Sequence, residues 1–510
     1  MNTRHTDTPE SLLPEACNGH QLNHCKTVSC KNFGSTNTHH YVFQRSNPNR
    51  PALVCRECGA FPPIISNYDV MQEVQRLKQL QNAGMPACSN PDCENLELPV
   101  LTHRHLYHAF GFSGDRQRYR CKCCQTTFVD RWSGTNTKNA LQQTMLAMLF
   151  TGYSVRDICR RLSMNPKSFY DQLSHIASRC RRQLAMFDAR LCKQAQQLSL
   201  ATNMCVLQPD SDNGVIWIAS GEAKSGYVLA QDINYQTATP PDNSEQSLNS
   251  NTAERDTPDG HHNPYRRGAR FMPPQPDRKV AIEHSRPNGL LAQIDATYRE
   301  AMSRPNLEDL LSNKARVNYP SKGCLIRPQY TVYAHNLHLR EMLYNNEELS
   351  FFMPLEPMLR SACISVFFDR IKQKTIHPVY VETDSDWQHG QHAKHIDIVL
   401  IGWWRDRWAF TRQDENSKGI CHLGGEKGNE GHWLETASHS AITRYQQQCQ
   451  SQFSQLINEP RRKLRPGGLL PLLDIYRAWH NLCHQDKTGV TPAQKLGLVT
   501  APLTLEQLLS

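Results

Sequence analysis

Apolar positions along this chain recur first with a helical period, then with a strand period, then with the two alternating. Residues 67–83 put Val70, Val74, Leu77 and Leu80 on one side, which predicts a helix. Residues 139–150 do the same with Leu141, Met145, Met148 and Leu149, and Gly152 follows as a stop. Ser154 is placed to cap a second helix over 155–162, with Val155, Ile158, Cys159 and Leu162 inward. After the turn Ser163-Met164-Asn165, Asn165 as cap and Pro166 at the first helical position open a third helix. In that helix Phe169, Leu173 and Ile176 face in, while Lys167, Ser168 and Tyr170 face out.

The period then shortens to that of strands, at 198–207, 215–220 and 227–233, with turn chemistry at 210–214. Residues 290–302 read as a helix, 329–333 as a strand, 336–344 as a helix and 349–353 as a strand. Pro357 opens a helix running to 372, and buried strands are expected at 379–381 and 396–401. Helices over 433–456 and 469–483, closed by 491–496, complete the chain. Hairpin strands followed by alternating helix and strand, then helices, predict a mixed α/β layer. Residues 1–18 read as a disordered polar tail. Residues 236–288, rich in Pro, Asn, Asp, Ser and Arg, read as a disordered insertion.

At 510 residues the chain exceeds one ordinary core, so a multidomain protein is expected. Lys+Arg 57 against Asp+Glu 48 gives +9, and the excess is uneven: 116–122, 156–190 and 461–465 are all basic. Patches of this kind are the electrostatic footprint of a phosphate backbone. No apolar run is long enough to span a bilayer, and Met1-Asn2-Thr3-Arg4-His5 lacks the apolar stretch of a signal peptide. A cytoplasmic protein without a membrane partner is therefore expected. In that compartment its 19 cysteines are metal ligands or small core residues rather than disulfides.

Eight of those cysteines form a repeat. Cys25 and Cys30 stand as C-x4-C and are followed, after 24 residues, by the C-x2-C pair Cys55 and Cys58. Cys88 and Cys93 are followed after 27 residues by Cys121 and Cys124 in the same way. Two such knuckles facing one another across a hairpin supply the four soft ligands zinc prefers, so two structural zinc sites are expected. So small a domain has little core, and metal binding would itself drive folding. Cys123 lies inside the second knuckle as a bystander; Cys159, Cys180 and Cys363 read as free buried thiols. Four thiolates leave no open position, so neither site is expected to be catalytic. His24, His39, His40, His103, His105 and His108 lie close by and read as surface residues.

Three helices in this order read as a helix-turn-helix or, more simply, as an ordinary three-helix bundle; in the former the start of the last helix enters the major groove. Lys167, Ser168, Tyr170, Asp171 and Gln172 are the base-contacting candidates. Arg118 and Arg120 of the basic ribbon and the run Arg179, Arg181, Arg182 and Arg190 add candidates for the DNA backbone.

Taken together, these pieces resemble insertion-sequence transposases with an N-terminal zinc ribbon, a helix-turn-helix and a DDE domain of the ribonuclease H-like fold. The resemblance rests on Arg116-Gln117-Arg118-Tyr119-Arg120-Cys121 running to Phe128, the helix-turn-helix, and Gln329-Tyr330-Thr331-Val332-Tyr333-Ala334-His335. It rests also on Leu472-Leu473-Asp474-Ile475-Tyr476-Arg477 and Thr491-Pro492-Ala493-Gln494-Lys495-Leu496-Gly497-Leu498. It implies zinc ribbons over 19–66 and 85–135 joined by a helix at 67–84, and a helix-turn-helix domain over 136–195. An α/β ribonuclease H-like domain over 196–235 and 289–500 would follow, in a bacterial, nucleoid-associated protein. The partner implied is double-stranded DNA, with the ribonuclease H-like domain serving assembly into a homo-oligomer.

The chemistry implied by the resemblance is phosphoryl transfer by two Mg²⁺ ions held on three carboxylates. The first-strand stretch, Leu200-Ala201-Thr202-Asn203-Met204-Cys205, carries no acid. The fourth-strand end, Phe351-Phe352-Met353-Pro354-Leu355-Glu356, has proline where aspartate is expected, and His439-Ser440-Ala441-Ile442-Thr443-Arg444 has threonine. Asp210 or Asp212, with Glu356, Glu435 and Glu459, are the candidates for displaced substitutes, but a displaced carboxylate loses orders of magnitude in rate, so a lost triad is the expectation. The leading expectation is a transposase-derived DNA binder, a sequence-specific or transcriptional regulator without catalysis. The alternatives are an active transposase or nuclease using Mg²⁺ through displaced acids, and a protein-binding scaffold. Asp384 with Asp386, and Asp397 with His392 and His395, read as metal groups or, more simply, as turn formers. Trp403, Trp404 and Trp408 among Arg405 and Arg407 read as base-stacking residues or as core packing.

Overall fold

The computed structural model describes residues 13–44, 52–130, 139–194, 196–208, 214–238, 262–272, 288–303, 322–384, 387, 395–402, 404–413, 415–457, 464 and 466–509. The chain opens with β1 (Tyr41–Gln44), β2 (Ala52–Cys55), α1 (Asn67–Asn82), β3 (Tyr107–Ser113), β4 (Arg116–Cys121) and β5 (Thr127–Val129). Three helices follow, α2 (Asn139–Phe150), α3 (Val155–Arg161) and α4 (Pro166–Gln194). Then come β6 (Gln197–Leu207), β7 (Val215–Glu222), β8 (Val228–Ile233), β9 (Tyr235–Gln236), α5 (Leu290–Ser303), β10 (Cys324–Leu325) and α6 (Pro328–Met342). They lead to β11 (Glu348–Met353), α7 (Pro357–Val366), α8 (Phe368–Lys372), β12 (Ile376–Thr383), β13 (Asp397–Ile401), β14 (Asp406–Gln413) and β15 (Asn416–His422). The last helices are α9 (Glu430–Thr436), α10 (Ser440–Gln452), α11 (Ser454–Ile457), α12 (Pro466–Leu482), α13 (Pro492–Lys495) and α14 (Leu505–Leu508).

Two compact units divide the chain: Met1–Val74 with Gln197–Ala223 and Ala230–Ile442, and Gln75–Gln196 with Lys224–Leu229 and Thr443–Ser510. The spine of the first is an eight-stranded sheet in the order β13-β14-β15-β12-β11-β6-β7-β8. At its centre β11 runs parallel to β6 and β12, with Phe351 opposite both Leu200 and Pro378. β6 and β7 pair antiparallel, as do β12 with β15, β15 with β14, and β14 with β13. Every residue of β7 is buried, which is why it reads as a continuous apolar run rather than an alternation. One face packs Phe352, Val379, Val381, Ala409 and Ile420 against Trp433, Leu434 and Ala437 of α9 and its exit. Each Val, Ile, Leu and Phe among them is worth about 1.5–3 kcal/mol when fully buried.

Against this sheet α6 carries buried polar groups, and they are bonded. Thr202 and Ser220 hydroxyls lie 2.7 Å apart, Ser220 Oγ is 2.8 Å from His335 Nε2, and His335 Nδ1 is 2.6 Å from Asp232. None of the four is exposed. The arrangement has the connectivity of a hydrolytic triad, but its serine has no access to solvent, so it ties α6 to the strands rather than acting on a substrate.

The second unit is organised on α4, whose apolar positions continue unbroken from Phe169 to Leu191 and pack beside α12. Asn165 Oδ1 accepts the Ser168 N–H at 2.8 Å, and Ser154 Oγ accepts that of Asp157 at 3.2 Å, so both caps form as the sequence predicts. In the interior Arg477 donates to Asp188 at 2.6 Å and to the carbonyls of Val228 and Leu229. Tyr227 donates to the other Asp188 oxygen at 2.8 Å.

Several elements differ from the sequence expectation. Residues 329–333 lie in α6, not in a strand: 328–337 are buried on every side, so no helical stripe is visible, and Tyr, Thr and Val imitate a strand. The helix expected over 433–456 breaks into α9, α10 and α11, where Ser438 Oγ accepts the Ser440 N–H and restarts the turn. The helix expected to run from Pro357 to 372 also divides, into α7 and α8. β13, expected to be buried, is an edge strand that leaves Ile398 and Leu400 exposed. Residues 262–272 of the expected disordered insertion are ordered, with Tyr265 in a core cluster and Arg270 paired with Asp69 at 3.4 Å. The rest of that insertion, apart from 236–238 and 288, lies outside the described residues, as do 1–12 of the expected tail, whose Leu13 is buried.

Breaking a buried pair strands its partner's charge. Asp188→Ala is expected to destabilise the second unit by roughly 3–5 kcal/mol in urea unfolding. Tyr227→Phe, which leaves the ion pair intact, is expected to cost only about 1 kcal/mol.

Candidate functional site

The eight cysteines close into two groups, Cys25, Cys30, Cys55 and Cys58 in the first unit and Cys88, Cys93, Cys121 and Cys124 in the second. In the first, Sγ atoms of Cys25 and Cys58 lie 3.6 Å apart and those of Cys30 and Cys55 3.8 Å. In the second the corresponding separations are 3.4 and 3.7 Å. A tetrahedral ion with bonds of about 2.3 Å to sulfur requires sulfur–sulfur edges of about 3.8 Å, so both donor sets fit zinc.

The two groups are built alike beyond their ligands. Tyr41 stands opposite Cys55 across β1 and β2, and Tyr107 opposite Cys121 across β3 and β4. Each tyrosine hydroxyl accepts the main-chain N–H of the first cysteine, from Cys25 at 2.9 Å and from Cys88 at 3.3 Å. An asparagine two residues past the second cysteine donates to the third: Asn32 to Cys55 at 3.5 Å and Asn95 to Cys121 at 3.3 Å. Both asparagines also donate their main-chain N–H to the preceding cysteine, each at 3.4 Å. Such donors stabilise thiolate over thiol and aim each sulfur. The side chain of Thr126 and its neighbouring backbone hold Cys124 down at about 6.

Where the halves differ, packing explains it. Gly34 and Glu97 occupy the same turn, with φ of 71° and 58°. A Cβ at Gly34 would collide with the Phe368 ring, while Glu97 faces open surface. His24, expected on the surface, is fully buried between Phe33 and Phe368, and burial lowers its imidazolium to about 4. Cys123 is exposed and belongs to neither group.

In the second unit the hairpin of β3 and β4 exposes Phe110 and Phe112, with Arg118 and Arg120 over the Phe110 ring at 5.5 and 5.4 Å. Lys167 is exposed and Ser168 half-buried at the start of α4. Gln172, expected to face outward, is buried and accepts from Gln142 at 2.9 Å. Tyr170 packs on Phe169 and against Gly468. Arg182 makes a two-pronged pair with Asp130 at 2.8 and 2.7 Å, and Arg181 pairs with Asp474. Those two guanidinium groups brace α4 inside its own unit, because two buried carboxylates compete for them.

Of the displaced acids, Asp210, Asp212 and Glu459 lie outside the described residues. Glu356 is buried and caps α7, accepting the Met358 N–H at 3.4 Å; Glu435 is half-buried on α9. Asp384 exchanges backbone and side-chain bonds with Ser417, as a turn former does; Asp386, His392 and Trp403 are outside the described residues. Asp397 pairs with His395 at 3.1 Å on the surface. Trp408 is buried and stacks with Tyr380. Beyond the ends of β11 and β12 a cavity is lined by Lys26, Tyr298, Tyr333, Arg360, Tyr380 and Trp404, and its described lining contains no carboxylate. The described residues bring together one further metal-type group that the spacing did not reveal, His377, His422 and Glu426. No helix among them is long and apolar enough to cross a membrane.

Cys121→Ser is expected to lower bound metal by about one equivalent per chain and to leave the first group loaded, read by elemental analysis. Asn95→Ala keeps all four ligands and is expected to weaken the second site roughly 10–100-fold in a chelator competition.

Comparison with protein-family models, with curated proteins and with solved structures finds no match to this chain.

Proposed function

We propose that this chain is a zinc-containing protein that grips duplex DNA, built on the plan of the insertion-sequence transposases and acting as a sequence-specific binder or transcriptional regulator. The observation that carries this reading is the bracing of three features in one unit. The second thiolate group, its basic aromatic hairpin and the capped pair α3 and α4 are held together there, α4 to the ribbon through Arg182 and Asp130.

A zinc ribbon presenting Arg118 and Arg120 beside exposed phenyl rings suits a phosphate backbone flanked by base faces. Lys167, in the first turn of α4, occupies the place from which a recognition helix reads the major groove. Tyr170 and Gln172 are engaged within the unit, so base contact falls to Lys167, Ser168 and Asp171. Arg181 and Arg182 position the helix instead of binding phosphate.

The order β8-β7-β6-β11-β12, with β6 parallel to β11 and β11 to β12, supports a ribonuclease H-like reading of the sheet. Glu356 is committed to capping α7, and the described lining of the cavity beyond β11 offers no carboxylate to hold a divalent ion. Both features favour binding without strand transfer.

Fluorescence anisotropy with duplex DNA tests the reading. Lys167→Ala is expected to weaken specific binding by about 1–3 kcal/mol. Arg118→Ala and Arg120→Ala are each expected to flatten the slope of log K against log salt by about 0.9. Affinity unmoved by all three substitutions would overturn DNA binding through this head. Mg²⁺-dependent strand cleavage abolished by Glu356→Gln would overturn the non-catalytic assignment.

A further inference from the structure

The group His377, His422 and Glu426 lies in the first unit, away from either cysteine set in sequence and built from different elements. His377 is the second residue of β12, His422 ends β15, and Glu426 follows in the loop leading to α9. β12 and β15 pair antiparallel with Val379 opposite His422, so the pairing brings the two imidazoles together on one face. His377 Nδ1 lies 3.2 Å from His422 Nε2. Glu426 Oε2 lies 3.4 Å from His422 Nε2 and 3.7 Å from His377 Nδ1.

From this geometry we infer that the three side chains form a third metal site, for a divalent transition ion of the zinc type. Bonds of about 2.0–2.1 Å in a tetrahedron give ligand–ligand edges of about 3.3–3.4 Å, and the three observed edges bracket that value. Two imidazoles and one carboxylate suit a borderline ion, and are too few in oxygen for Ca²⁺ or Mg²⁺. Three protein donors leave the fourth position to water, unlike the closed four-thiolate groups.

The surroundings orient these donors as a metal site requires. His377 Nε2, the nitrogen turned away from the group, lies 3.3 Å from Glu348 Oε1, which fixes the proton there and leaves Nδ1 as a donor. Glu348 is itself held by Gln197, which donates to its other oxygen at 2.9 Å. Glu426 accepts from Trp433 Nε1 at 3.2 Å and from Asn429 at 2.5 Å. The Trp433 ring lies against both imidazoles, with centroids 5.3 Å from His422 and 5.4 Å from His377, and walls one side.

One contact opposes loading. The main-chain N–H of Glu426 is 3.1 Å from His422 Nδ1, so without metal the His422 proton sits on Nε2 and points at His377. On loading, that proton moves to Nδ1 and the bond from Glu426 N–H is given up. The site therefore binds more weakly than the thiolate groups and fills after them.

Cobalt titration of the full-length chain, its cysteine sites already loaded with zinc, tests this. The expected result is one further equivalent of Co²⁺ whose spectrum has the visible d–d bands but no thiolate charge-transfer band. His422→Ala and Glu426→Gln are expected to abolish that equivalent and leave the cysteine-bound zinc in place. Glu348→Gln, which touches no metal, is expected to weaken it roughly tenfold. Glu426→Gln changes only a half-exposed side chain in a loop, so its effect is readable even where His422→Ala unfolds the sheet. A zinc-loaded chain that takes up no more Co²⁺ in excess overturns the site, as does a further equivalent that Glu426→Gln leaves unchanged.

Discussion

Four sulfur atoms that must meet around one point dictate the local structure on both sides of them. The second group has almost no apolar core: around Cys88, Cys93 and Cys121 the buried hydrophobic company is Val100 and Tyr107. The chain there is held by the convergence itself, with backbone and asparagine donors pointed at sulfur. Because the tetrahedron is the same twice, so are its supports: a tyrosine opposite the third cysteine, an asparagine after the second, and a left-handed residue in the intervening turn. The turn keeps its left-handed backbone in both groups but accepts a side chain only where nothing packs on it, as at exposed Glu97, whereas Gly34 lies against Phe368.

Charge counted along the chain differs from charge left on the surface. The run of arginines along α4 invites a phosphate-binding face. Yet Arg179 reaches the Leu509 carbonyl, Arg181 is taken by Asp474 and Arg182 by Asp130. A buried carboxylate outcompetes a solvated phosphate because its desolvation has already occurred on folding. On α4 itself Lys167, in the first turn, stays exposed. The excess of nine positive charges thus says little about which cations face solvent.

Spacing by itself determined the parts whose physics is local. The C-x4-C and C-x2-C pairs specify the two thiolate groups, since a knuckle is closed by a few residues and needs only a second knuckle to face. The caps at Ser154 and Asn165, the stop at Gly152 and the hairpin strands of the sheet are legible for the same reason: each answers to neighbours within one turn or one hairpin.

Tertiary structure alone decided what depends on partners far along the chain. α6 is a helix because Glu73, Asp232, Ser220 and Tyr333's neighbours satisfy its buried polar side chains, which no periodicity could announce. Residues 262–272 are ordered because Asp69 receives Arg270 and the core cluster around Cys25 and Cys55 receives Tyr265, though their own composition reads as disorder. His377 and His422 become neighbours only when β12 and β15 align, with a glutamate from the following loop. A sequence states which bonds a residue can make, but long-range register chooses which of them it does make.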